Sequence, residues 1–147
     1  MDGSYYWPLA KKNMIEEIEW TWNDGWLLIA IFLVGADKSA PLYMVIGAAD
    51  ATNHAIPTTQ ELTRAFTKFV QCGLITVAGD QYTVCPEHIP AIKKAFAGKG
   101  GLFESGDKGL KFLKRSQLVQ KNNLTVTLTD VEVEAAYKEY INAMRKR

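Results

Sequence analysis

Residues 58–84 read TTQELTRAFTKFVQCGLITVAGDQYTV, and they hold the strongest local signals in the chain. Thr58-Thr59-Gln60-Glu61 fits a capping box. The threonine hydroxyl takes one orphan amide of a helix's first turn, and the glutamate three residues on takes another. Pro57 breaks the chain from what precedes it. Leu62, Ala65, Phe66, Phe69 and Val70 recur at helical spacing and form one apolar stripe. Gly73 stands where a helix ends on a left-handed residue. Residues 74–77 and 82–84 are β-rich runs on either side of Ala78-Gly79-Asp80-Gln81, where the glycine supplies the positive φ of a tight hairpin. The expectation is a helix over 59–72 with Leu62, Phe66 and Phe69 buried, followed by an antiparallel hairpin.

Upstream, residues 25–35 are apolar on every side, which predicts a buried helix with Asp24 as N-cap and Gly35 as its stop. The loop Asp37-Lys38-Ser39 and Pro41 open a second helix running to about His54, with Leu42, Val45, Ile46 and Ala49 on one face. Residues 1–23 carry Tyr5, Tyr6, Trp7, Trp20 and Trp22, with Asn13 able to cap a short helix; such aromatics are expected to lie over the core. Downstream, a short helix ends near Ala97 with Ile89, Ile92, Ala95 and Phe96 on one side. Residues 98–109 hold five glycines and read as a flexible linker. A basic segment over 108–121 is expected to be helical, residues 124–128 alternate like a short strand, and Thr129-Asp130-Val131-Glu132 is a second capping box opening a last helix with the stripe Val133, Tyr137, Tyr140, Ile141 and Met144.

The chain is therefore read as one domain over 1–147: a core at 24–97, the linker 98–109, and a basic segment plus helix at 110–147. The class is α+β, mainly helical. A length of 147 residues with 48% apolar content suffices for a core without disulfides or metal. The longest apolar run, residues 26–36, is far short of the roughly 20 residues of a membrane span. Two cysteines are too few for a disulfide scaffold, and the cytoplasm is the default compartment.

The order helix, helix, helix, hairpin over residues 24–97 resembles the winged helix-turn-helix superfamily. The residues that carry the resemblance are Leu62, Phe66 and Phe69, the exit Gly73-Leu74-Ile75, and Gly79-Asp80 with Tyr82 and Val84. The stretch Asp50-Ala51-Thr52-Asn53-His54-Ala55, followed by Thr58 and Glu61-Leu62, is similar to uncharacterised bacterial winged-helix proteins. The resemblance implies a DNA-binding transcriptional regulator, dimeric, whose third helix enters the major groove while the wing touches the backbone. The outward residues would be Gln60, Thr63, Arg64, Thr67, Lys68 and Gln71, a set able to contact base edges and phosphates. Arg64→Ala and Lys68→Ala are then expected to weaken double-stranded DNA binding without loss of stability, since both lie off the apolar stripe.

Charge argues the other way. Net charge is +1 overall, residues 24–97 carry six acids against five bases, and the wing turn holds Asp80 with no Lys or Arg. DNA affinity rests on phosphate neutralisation, for which two bases on the helix face are a thin supply. Residues 98–123 have six bases against two acids, and can share a DNA footprint only if the fold sets them beside helix 59–72. The alternative is a winged-helix protein–protein interaction module that does not bind DNA.

No catalytic or metal signature is present, so neither an enzyme nor a cofactor is expected. His54, Cys72, Cys85 and His88 are zinc-type ligands, with Cys85-x-x-His88 at usable spacing, but no CxxC or HxxxH pair supports them. The same cysteines and histidines form no recognisable nucleophile–base signature. Gly98-Lys99-Gly100-Gly101 lacks the strand, the order and the Ser/Thr of a phosphate loop.

Overall fold

The computed structural model describes residues 17–98, 100 and 104–146, as six α-helices and one two-stranded sheet. Helix α1 spans Trp22–Gly35, α2 Leu42–Asn53 and α3 Thr59–Gln71. Strands β1 (Ile75–Ala78) and β2 (Gln81–Val84) follow, then a 3-10 turn at Pro86–His88 and α4 at Ile89–Phe96. Helix α5 is Ser105–Arg115 and α6 is Asp130–Arg145.

Helix α3 forms as its sequence dictates. The Thr58 hydroxyl accepts from Glu61 N, and Glu61 Oε1 accepts from Thr58 N at 2.9 Å. At the other end Gly73 takes φ +80, with Gly73 N bonded to Val70 O and Leu74 N to Phe69 O. Those two bonds are a Schellman ending, which satisfies carbonyls the helix leaves orphaned. Leu62, Ala65, Phe66 and Phe69 are fully buried. The hairpin pairs Ile75 with Val84 and Ala78 with Gln81, and Gly79 takes φ +61 at the turn.

Two local starts differ from the sequence reading. Helix α1 begins three residues early, because Thr21 is the N-cap and Asp24 is the third helical residue whose carboxylate returns to Thr21 N at 2.8 Å. Aspartate here does the work the capping-box pattern assigns to glutamate. Helix α2 starts after Pro41, which has no side-chain cap bond; Asp80 Oδ1 from the hairpin turn accepts from Leu42 N instead, at 3.1 Å. The acidic hairpin turn is thus a helix cap supplied from across the fold. Just before it, Ala40 and Tyr82 exchange both backbone hydrogen bonds, adding one bridge to the sheet's edge.

The core lies around α1, which packs on α2 and α5 and also meets β2 and α3. Trp26 is buried and its Nε1 donates to Ala49 O at 2.9 Å. Phe66 lies against Tyr82 with ring centroids 5.0 Å apart. Of the aromatic N-terminal segment, Trp20 and Trp22 do cover the core, Trp20 stacking on Phe69. Tyr5, Tyr6, Trp7 and the Asn13 cap lie outside the described residues.

The C-terminal third departs most from expectation. Residues 105–109, read as linker, are the first turns of α5. Gly25, Gly106 and Gly109 form its contact with α1: a Cβ at Gly109 would fall within 3.0 Å of the Gly25 backbone, and one at Gly106 within 3.0 Å of Trp22. These glycines permit close helix approach rather than flexibility. The basic helix stops at Arg115, so residues 116–121 are not helical. Residues 124–128 are not a strand, because their neighbour is helix α3, whose interior backbone groups are already paired.

Candidate functional site

The six outward positions of α3 have unequal surroundings. Gln60 and Arg64 are exposed at its N-terminal half. Thr63 is half-buried, with its hydroxyl unpaired among the described residues. Thr67, Lys68 and Gln71 are all engaged within the chain.

Lys68 bridges three groups. Its ammonium pairs with the Asp24 carboxylate, donates to Glu19 O at 2.9 Å, and sits 5.7 Å from the centre of the Trp20 ring. Asp24 is 2% exposed, so Lys68 balances a buried charge. This overturns the expectation that Lys68 can be removed at no cost. Lys68→Ala should destabilise the protein by about 1–3 kcal/mol, since it leaves a buried carboxylate without its counter-charge while the bond from Thr21 N remains. Arg64→Ala should stay within about 0.5 kcal/mol, as exposed positions do. Paired urea titrations of the two variants check this.

Thr67 and Gln71 hold the segment 119–128 across the helix. The Thr67 hydroxyl accepts from Val126 N at 3.0 Å and donates to Val126 O at 3.3 Å. Gln71 Nε2 donates to Leu124 O, while Gln71 O accepts from Lys121 N at 2.7 Å. Asn122 Nδ2 reaches Val70 O at the helix end. Val126 is buried with the core, and the segment begins at a bridge between Val119 and Glu17. Residues 119–128 therefore lie over the C-terminal half of the outward face of α3. Thr67 and Gln71 look like phosphate and base contacts in sequence, but here they serve as side-chain rungs for a non-adjacent segment. Only the alternation at 124–128 hinted at this, by marking an extended run with no strand to pair.

The basic residues do not converge on α3 either. Lys108, Lys111, Lys114 and Arg115 belong to α5, which packs on α1 and α4. Among the described basic residues of 98–123, Lys121 reaches the end of α3, its side chain lying beside Gly73.

Of the candidate metal and nucleophile residues, the two cysteines sit in packed surroundings. Cys72 is fully buried, and burial pushes its thiol up to about 11; burial also raises the half-buried Cys85. A thiol shifted that way is a poor nucleophile at neutral pH. His54 closes α2 in the left-handed conformation, φ 52. Among the described residues no group of three or more His, Cys, Asp or Glu side chains is placed to hold a metal ion. Purified protein should carry no stoichiometric zinc, and EDTA should leave its melting temperature unchanged; a drop on chelation, read by circular dichroism, would contradict this. Lys99 and Gly101 of the glycine-rich stretch lie outside the described residues. No helix among the described residues is long and apolar enough to cross a membrane.

Compared with known proteins, the chain matches no family model, no curated protein and no solved structure.

Proposed function

We propose that residues 22–97 form a winged helix-turn-helix module used for protein–protein interaction, not for reading DNA through α3, and that the chain is not an enzyme. The order of α1, α2, α3 and the hairpin supports the winged-helix reading. The Ala40–Tyr82 bridge adds the short edge partner such a wing can carry. The observation that carries the functional half is the segment 119–128 lying along α3 on hydrogen bonds from Thr67 and Gln71. With Lys68 committed to Asp24, that face keeps one exposed cation, Arg64. Major-groove docking needs a protruding helix and several phosphate contacts. The hairpin turn adds none, since Asp80 caps α2.

The second reading, a DNA-binding regulator, rests on the exposed pair Gln60 and Arg64. Fluorescence anisotropy with random-sequence duplex DNA at low ionic strength separates the two. The interaction module should show no salt-sensitive binding. Binding that weakens with salt and falls on Arg64→Ala would overturn it and restore the DNA-binding regulator.

A further inference from the structure

Helices α4 and α5 run beside each other and leave an open groove of about 500 Å³ between them. Ala91 and Ala95 from α4 and Phe112 from α5 form its apolar floor, and Lys94, Lys108, Lys111 and Arg115 stand around it. The spacing is regular: 91, 94 and 95 share one face of α4, and 108, 111, 112 and 115 one face of α5. Lys94, Lys111 and Arg115 are exposed, and Phe112 is half-buried.

None of the four cations pairs with a carboxylate among the described residues; the one ion pair there is Lys68–Asp24. Helix electrostatics account for only part of the cluster. Lys94 and Arg115 lie in last turns, where the helix dipole favours a cation. Lys108 lies in the first turn of α5, where the dipole disfavours one. Lys108 and Lys111, and Lys111 and Arg115, are like charges three and four residues apart, which repel. A basic rim with no carboxylate paired to it among the described residues, around an apolar floor, is complementary to acidic residues flanking an apolar anchor.

Building on the interaction-module reading, we propose that the α4–α5 groove docks an acidic amphipathic segment of a partner protein, its apolar side chain on Ala91, Ala95 and Phe112 and its carboxylates on Lys94, Lys108, Lys111 and Arg115. This is helix-in-groove recognition with charge selecting the partner. Duplex DNA uses the cations but has no apolar group for the floor.

The test is anisotropy of the full chain with three fluorescein-labelled probes: a peptide of repeating Glu-Leu-Glu-Glu about 12 residues long, a peptide of the same length and charge with each Leu replaced by Ser, and a random duplex DNA. The Glu/Leu peptide should bind, more weakly as salt rises, and at least about tenfold tighter than the Leu-free peptide. Lys111→Glu with Arg115→Glu should weaken it by about tenfold or more. Both positions are exposed, and an unchanged melting temperature confirms that the variant folds. Ala91→Trp, which fills the groove and keeps its charge, should also lose the Glu/Leu peptide. No binding of that peptide, equal binding of both peptides, or full binding by the charge-reversed variant overturns the proposal. If the duplex stays unbound in those cases, the interaction-module reading stands without this groove. Salt-sensitive duplex binding lost on Lys111→Glu/Arg115→Glu would instead assign the cations to phosphate and overturn both.

Discussion

Gly109→Ala should destabilise this protein by about 1–3 kcal/mol or more, although the same change in an ordinary helix is stabilising by about 0.5–1 kcal/mol. The sign reverses because of what faces the new methyl. At Gly109 a Cβ would lie within 3.0 Å of the Gly25 carbonyl and Cα, and at Gly25 it would meet the backbone of Gly106, Gly109 and Leu110. No side chain is there to rotate away, so either α5 must move off α1 or the backbone must distort. That contact also seats Trp22, whose Nε1 donates to Asp107 on α5 at 3.0 Å. Gly109→Val should cost more still. A melting-temperature loss of roughly 2–4 °C per kcal/mol is expected for a chain of this size. Thermal denaturation of Gly109→Ala beside the exposed helix change Asn142→Ala gives the comparison. If Gly109→Ala stabilised the protein, the close crossing of α1 and α5 would be wrong.

Phe66→Ala should cost about 3–5 kcal/mol, a large share of the 5–15 kcal/mol that holds a domain together. Phe66 is fully buried, lies on the inward face of α3, and packs its ring on Tyr82 of β2. Removing it opens a cavity between helix and hairpin that rigid backbone on both sides cannot fill. Equilibrium urea unfolding measures the loss. A cost under about 1 kcal/mol would mean that the hairpin does not pack on α3.

Half of the fold was legible because its determinants are local. The Thr58 and Thr129 capping boxes, the Gly73 ending and the Gly79 turn each act within a few residues, and all four stand where the sequence placed them. The apolar stripes of α2 and α3 are buried as their periodicity required, except that Val70 is only half-buried. On α6 the stripe held less well: Val133 is buried, Tyr140 and Ile141 are half-buried, and Tyr137 and Met144 are exposed. Helix α6 covers α2 from one side, with Tyr140 against Gly47 and its hydroxyl donating to Asp50 at 2.7 Å.

The candidate site was less legible, and the reason is physical. Helical periodicity shows that Thr67, Lys68 and Gln71 point away from the stripe; it cannot show what meets them there. A solvated recognition face and a face that holds another segment need the same polar residues. The choice came from Val126 and Asn122, more than 50 residues further on. Similarly, Asp80 read as an acid weakening a DNA-binding wing, and across the fold it caps α2.

The sequence by itself determined the capped starts of α3 and α6, the Gly73 ending of α3, the hairpin, the inward face of α3 and the sign of each charged segment, since all depend on backbone preference and spacing within a few residues. Tertiary structure alone decided that Gly25, Gly106 and Gly109 are contacts, that Lys68 balances Asp24, and that α5 turns its cations to α4 while residues 119–128 lie over α3. Those outcomes depend on which surfaces meet across long stretches of chain, and burial and electrostatics act on a side chain only once its distant neighbour is in place.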